Sequence, residues 1–117
     1  MKKKTLIASH DDKLRQALEF LLNNEPGVEI AGSVNNTAGL IALTITLKPD
    51  LIFLDWDIPD KPSAELITAL RTINPDTKTI VLSDSTSEPD VLSAGAERCV
   101  IKGSSPDVIL ENIRALL

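Results

Sequence analysis

The chain has 117 residues, which suits a single domain over 1–117 and leaves little room for a second. With 43% hydrophobic residues and both charge signs present, it is a folding sequence, not a disordered one. A net charge of -5 argues against a general nucleic-acid-binding surface, and no apolar run approaches membrane-spanning length. The one cysteine, Cys99, excludes an internal disulfide and suits a reducing cytoplasm; it lies in an apolar strand as a small core residue. Trp56, Phe20 and Phe53 are the only aromatic residues, so the core has to be aliphatic. The basic start, Lys2-Lys3-Lys4, reads as a solvated run and not as a signal peptide, because His10-Asp11-Asp12 soon follows.

Thr5 to Ser9 is a short apolar run and predicts a first strand. Leu14, Ala17, Leu18, Leu21 and Leu22 then recur at helical spacing, and Pro26-Gly27 ends that helix. Val28 to Val34 predicts a second strand. Leu40, Leu43 and Leu47 mark a helix closed by Pro49. Leu51 to Asp55 is the third strand. Pro62-Ser63 opens a helix with Leu66, Leu70 and Ile73 on one face. Lys78 to Ser83 is the fourth strand, and Ser87-Glu88-Pro89 opens a short helix ended by Gly95. Arg98 to Lys102 is the fifth strand. Ser105-Pro106 pairs an N-cap with a proline at the first helical position, and Ile109, Ile113, Leu116 and Leu117 line the last helix.

Five strands alternating with five helices argue a parallel sheet with helices on both faces. The expected fold class is α/β, a doubly wound five-stranded sheet. Its usual strand order is 2-1-3-4-5, taken here from known flavodoxin-like folds.

In such a sheet the functional crevice lies outside the carboxyl ends of the strands. Strand one ends at Ser9, followed by His10, Asp11 and Asp12. Strand three ends at Asp55, strand four at Ser83 with Asp84 after it, and strand five at Lys102. Taken singly, each has a plain structural reading: a cap, the start of a turn, a solvated strand end. Together an acid, a hydroxyl and an amine meet at one edge. That set suits phosphoryl transfer to a carboxylate, with Asp55 as nucleophile, Lys102 and Ser83 on phosphoryl oxygens, and Mg²⁺ offsetting the charge.

Lys48-Pro49-Asp50 with Asp55 and Ile58-Pro59, then Val81-Leu82-Ser83, Ala94-Gly95-Ala96 and Val100-Ile101-Lys102, stand in order along the chain. Together they resemble the response-regulator receiver domains of two-component signalling over about Thr5 to Leu117. The run Lys102-Gly103-Ser104-Ser105-Pro106 is most similar to receivers of LuxR-type regulators. The resemblance implies a flavodoxin-like receiver fold and a phosphorelay role, with Asp55 as phospho-acceptor, Ser83 as switch hydroxyl and Lys102 as phosphoryl partner. It implies that Asp55 and the Asp57 backbone carbonyl hold the metal. It further implies a cytoplasmic, non-enzymatic domain. Its partners would be a sensor histidine kinase or other phosphodonor and an output domain, its own or a partner's. A homodimer would pair through the last helix or the fourth-helix face. No direct contact with nucleic acid or membrane is expected of this domain.

The sequence departs from that family at several places. The adjacent acids at the end of strand one are replaced by Ser9 and His10, with Asp11 and Asp12 two positions later. Asp11 is therefore a doubtful metal ligand whose plain role is to cap the first helix, and Mg²⁺ binding is expected to be weak. Asp84 adds an acid beside the switch hydroxyl, at the mouth of the crevice. Cys99 stands where the family has its aromatic switch, and Gly103 replaces a proline. A degenerate receiver acting by protein contact alone is the alternative reading. A flavodoxin-like cofactor binder or small enzyme is a further one, disfavoured because His10-Asp11-Asp12 would repel a flavin phosphate.

Overall fold

The computed structural model describes residues 2–58 and 63–117. Five strands, β1 (Lys3–Ala8), β2 (Val28–Val34), β3 (Leu51–Asp55), β4 (Lys78–Ser83) and β5 (Arg98–Ile101), alternate with five helices. The helices are α1 (Asp12–Asn23), α2 (Thr37–Leu47), α3 (Ser63–Ile73), α4 (Glu88–Ser93) and α5 (Pro106–Arg114). All strand pairs are parallel and the order is β2-β1-β3-β4-β5, as expected. Pro59 and Pro62, two of the sequence landmarks, lie outside the described residues.

The central strand β3 is buried along its whole length, as a parallel strand covered on both faces must be. Its pleat sends alternate residues to opposite faces. Ile52 and Leu54 pack with Leu6, Leu40, Leu66, Ile67, Leu70 and Val81 beneath α2, α3 and α4. Leu51 and Phe53 pack with Ile7, Leu18, Leu22, Ile80, Leu82, Val100 and Ile113 beneath α1 and α5. Helix α2 approaches the sheet closely: a methyl group on Gly32 would stand 2.8 Å from Leu43 Cδ1 and 3.1 Å from Leu6 Cδ2. The core is aliphatic apart from Phe53; Phe20, on the outer face of α1, is 76% exposed.

Several boundaries differ from the sequence reading. β1 starts at Lys3, inside the basic run, because Lys3 and Lys4 pair with Val28 and Glu29 of β2 through backbone groups to which side-chain charge is irrelevant. Helix α2 ends on Lys48 in the left-handed conformation (φ 47°), one residue before Pro49. A 3₁₀ turn over Ser85–Ser87 precedes α4, leaving that helix six residues. Helix α5 stops at Arg114, so Leu116 and Leu117 follow the helix; Leu116 still packs against the core beneath α1 and α5, while Leu117 is 43% exposed.

The two phenylalanines give a direct test of where the core sits. Phe53→Ala should lower the unfolding free energy by about 3–5 kcal/mol in urea titration, the usual cost of truncating a buried aromatic. Phe20→Ala should change it by no more than about 0.5 kcal/mol, as for most exposed positions.

Candidate functional site

Strand parity decides which polar side chains meet at the carboxyl edge. Asp55 shares its face with Leu51 and Phe53, Ser9 with Ile7, and Lys102 with Val100, all on the α1/α5 side. Ser83 shares its face with Val81, and Cys99 packs against that same α2–α3–α4 cluster. The five residues therefore form two groups.

The first group centres on Asp55, which is 1% exposed. Lys102 Nζ stands 2.6 Å from Asp55 Oδ1 and 3.0 Å from Asp57 Oδ2. The Asp57 backbone N–H donates to Asp55 Oδ1 at 3.1 Å, and the Ser9 hydroxyl donates to Asp55 Oδ2 at 2.8 Å. Both carboxylate oxygens are thus engaged. Ser9 Oγ in turn accepts the Asp11 N–H at 3.1 Å, and the Ser9 carbonyl accepts a hydrogen bond from the Arg15 guanidinium at 2.8 Å. Local backbone builds the arrangement: the chain folds back after Asp55 through Ile58 N to Asp55 O, which turns Asp57 towards Lys102.

Burial by itself would push the Asp55 carboxyl up. The Lys102 ammonium, the Asp57 N–H and the Ser9 hydroxyl outweigh it and hold the group below the usual carboxylate range. Partial burial pulls Lys102 down, and its hydrogen bonds to Asp55 and Asp57 overcome that, holding the amine above its ordinary value.

The second group is Ser83 and Cys99. The Ser83 hydroxyl, fully buried, bonds the Asp84 carbonyl at 2.9 Å and lies 3.2 Å from Cys99 Sγ. It makes no hydrogen bond to Asp55 or Lys102, although Lys102 N donates to the Ser83 carbonyl at 2.9 Å.

Asp84 and Asp11 are both spent on helix and turn ends. Asp84 Oδ1 accepts from Thr86 Oγ1 at 2.7 Å and from Ser87 N at 2.9 Å, and these bonds hold its carboxyl below the usual range. It caps the 3₁₀ turn; a short polar side chain at such a turn bonds the local backbone and hydroxyls first. Asp11 Oδ1 accepts from Lys13 N at 3.0 Å and Leu14 N at 3.2 Å, an N-cap of α1. His10 is exposed.

With this geometry in place, comparison with known proteins places the chain. The family model described as the response regulator receiver domain matches residues 5–114. The chain belongs to that family. It is 31% identical to the nitrate/nitrite response regulator protein NarP of Escherichia coli (strain K12), over 94% of this chain and 53% of that protein. The chain spans about half the length of the curated relatives it matches. Among solved structures, a two-component response regulator of the LuxR family from Aurantimonas sp. SI85-9A1 superposes with a TM-score of 0.89 at 18% identity, covering 99% of this chain and 85% of that one. The chemotaxis response regulator CheY4 of Vibrio cholerae superposes with a TM-score of 0.88 at 20% identity, over the full length of both chains. These likenesses carry the receiver fold. The function that follows from the family is that of a receiver domain in two-component response regulators, and neither the contact-only nor the cofactor-binding alternative is favoured. Receiver domains are generally not enzymes. Among the described residues no helix is long and apolar enough to cross a membrane.

Receiver domains typically bind Mg²⁺ at an acidic site, and the residues here do not fit that ion. Mg²⁺ demands hard oxygen donors in near-octahedral geometry. Strand one offers a neutral hydroxyl and an imidazole, Asp11 is committed to its helix, and both Asp55 oxygens already have donors. Among the described residues no group of three or more His, Cys, Asp or Glu is placed to hold a metal ion.

Sequence reasoning brought Asp55, Ser83 and Lys102 to one edge; Asp55 and Lys102 pair there, the Ser83 hydroxyl bonds Asp84 and Cys99 instead, and two further contacts went unforeseen. It treated Asp57 as a backbone carbonyl only and Ser9 as a lost acid. The signal for Ser9 was available: a hydroxyl at the end of strand one can reach a carboxylate at the end of the adjacent strand three. For Asp57 there was none, because the turn geometry that aims its side chain is not written in local spacing.

The ion pair predicts the pH dependence of stability. A depressed Asp55 contributes stability that is present above the unfolded carboxyl value of about 3.9 and is lost as pH falls through the folded value below it. A raised Lys102 contributes stability present below about 10.4 and lost as pH rises through its folded value above that. These two groups should add no slope between about pH 5 and 9, and Lys102→Met should flatten both limbs of a melting-temperature profile. The same substitution should cost about 2 kcal/mol, less than the ~3–5 kcal/mol for a wholly buried pair, because the amine is one-third exposed and water can reach the site.

Proposed function

We propose that residues 1–117 act as one receiver domain that accepts a phosphoryl group on Asp55. The observation that carries this reading is a fully buried carboxylate at the end of the central strand, kept ionised by an amine from β5. Structural ion pairs seldom need such a place; a nucleophile that must be ionised and aimed does.

In the reaction, an Asp55 oxygen attacks the donor phosphorus. The new bond is carboxylate oxygen to phosphorus, and the bond to the donor's leaving group breaks, with the electron pair departing on that group. Ser9 holds Oδ2 in place. Lys102 follows the incoming phosphoryl oxygens and neutralises part of their charge. Ser83 takes part as the switch hydroxyl by rotating from the Asp84 carbonyl towards a phosphoryl oxygen, a single χ1 change. That rotation loosens its contact with Cys99, in the place of the family's aromatic switch.

Mg²⁺ affinity is weak under this reading, because Asp57 and Asp11 do not complete an acidic site with Asp55. The domain is not itself an enzyme, and it works in the cytoplasm. Its partners are a sensor histidine kinase or a small phosphodonor and an output domain, on this chain or another. A homodimer, where one forms, uses α5 or the α4 face. No nucleic acid or membrane contacts this domain directly.

The test is phosphoryl incorporation from acetyl phosphate, read as intact mass, with Asp55→Ala as the blank. Labelling of the wild type should be slow and confined to Asp55. Ser9→Asp with His10→Asp restores the two adjacent acids of the family and should raise labelling in the presence of Mg²⁺, by about tenfold or more if the ion lowers the barrier by only ~1.4 kcal/mol. No mass increase in either protein would remove the acceptor reading. Efficient labelling of the wild type, unimproved in the rebuilt variant, would show that the altered strand-one end does not impair transfer.

A further inference from the structure

Asp57 makes two contacts with the pair it adjoins. Its N–H donates to Asp55 Oδ1, and its carboxylate accepts Lys102 Nζ at 3.0 Å while the same amine stands 2.6 Å from that Asp55 oxygen. The three groups close a ring. An ammonium placed between two carboxylates does the electrostatic work that a bridging divalent ion does elsewhere, at half the charge.

The end of strand one reinforces this arrangement. Its side chains nearest Asp55 bring no anionic oxygen: Ser9 is a neutral donor, and the Asp11 carboxylate is held by the first turn of α1. A cation stands there instead, the Arg15 guanidinium bonded to the Ser9 carbonyl and paired with Asp12 at 2.6 Å. An incoming divalent ion would have to displace an amine held by two acids.

We propose that the Asp57 side chain is a positioning residue for Lys102, and that Asp55 and Asp57 clasp this amine as the resident cation of the site, so that lysine and a divalent ion exclude one another there. Asp57 then sets how readily the amine leaves to follow another oxyanion. Asp57 is largely exposed, so its grip is that of a partly solvated ion pair: weak enough to release, strong enough to bias. The inference rests on the geometry of the resting site and involves no phosphoryl step. Its failure would leave the acceptor reading of Asp55 standing.

The experiment reads the amine directly on the full chain. Lysines are reductively methylated with formaldehyde and a borane, and the rates are resolved by peptide mass spectrometry. Lys102 should react more slowly than the exposed Lys13 and Lys78. MgCl₂ at matched ionic strength should leave the Lys102 rate unchanged. Asp57→Asn should raise that rate about two- to fivefold, as expected when one partly exposed ion pair is removed. A saturable increase with MgCl₂ in the wild type would show that the ion displaces the amine and would overturn the exclusion. An unchanged rate in Asp57→Asn would overturn the positioning role. A second measurement follows melting temperature. Lys102→Met should gain a Mg²⁺-dependent rise that the wild type and Lys102→Met/Asp57→Asn both lack, and no such gain in a folded Lys102→Met would overturn the exclusion. Should Lys102→Met not fold, the methylation rates decide the matter by themselves.

Discussion

A carboxylate buried at the end of the central strand has to be neutralised, and the carboxyl edge of this molecule is organised by that requirement. Asp55 cannot be left ionised in an apolar setting without partners. The nearest strands carry no cation at their ends: β1 ends at Ala8 with Ser9 after it, and β4 ends in Leu82 and Ser83. The amine comes from beyond β5, across β4, a span of two strand spacings or roughly 10 Å. A short basic side chain could not make that reach, whereas the four-carbon stem of lysine can. The ion pair therefore joins the end of β3 to the end of β5 across β4, at an edge that backbone hydrogen bonds also close.

The pleat then divides the edge into two compartments. Asp55, Ser9 and Lys102 stand on the side of α1 and α5, while Ser83 and Cys99 stand on the side of α3 and α4. In the charged compartment both Asp55 oxygens are engaged, by Lys102 and Asp57 N–H on one and Ser9 on the other. The other holds a hydroxyl against a thiol, a soft contact that one rotamer change would release. Family membership does not dictate this detail. Function resides in the particular side chains that a fold brings together, here Ser9, Asp55, Asp57 and Lys102 on one side and Ser83 with Cys99 on the other.

The α1 terminus shows how one hydroxyl distributes roles among its neighbours. The Ser9 hydroxyl bonds Asp55 and takes the Asp11 N–H, so the buried carboxylate is linked by two hydrogen bonds to the start of a helix. Asp11 and Asp12 serve that helix, one as its cap and the other paired with Arg15. Acids present in the sequence near the site are thereby absent from it.

The alternation of apolar runs and helical stripes was enough to place all five strands and five helices, because parallel strands buried on both faces leave a continuous hydrophobic signature. Strand ends carrying Asp55 and Lys102 pointed to one edge for the same reason: topology sends every carboxyl end the same way. Boundaries set by backbone pairing were not legible, as at Lys3 and Lys4, where charge concealed a strand. Nor was the end of α5, where Leu116 kept the apolar rhythm after the helix had stopped. What the tertiary structure alone decided was the partner of each polar group. Asp84 turns to a 3₁₀ turn, Asp11 to its own helix, Ser9 to Asp55, and Asp57 to Lys102. Spacing along the chain specifies which face a residue occupies. A hydrogen bond is directional over about 3 Å, so its partner is chosen only when turns and strands from distant parts of the chain have come to rest.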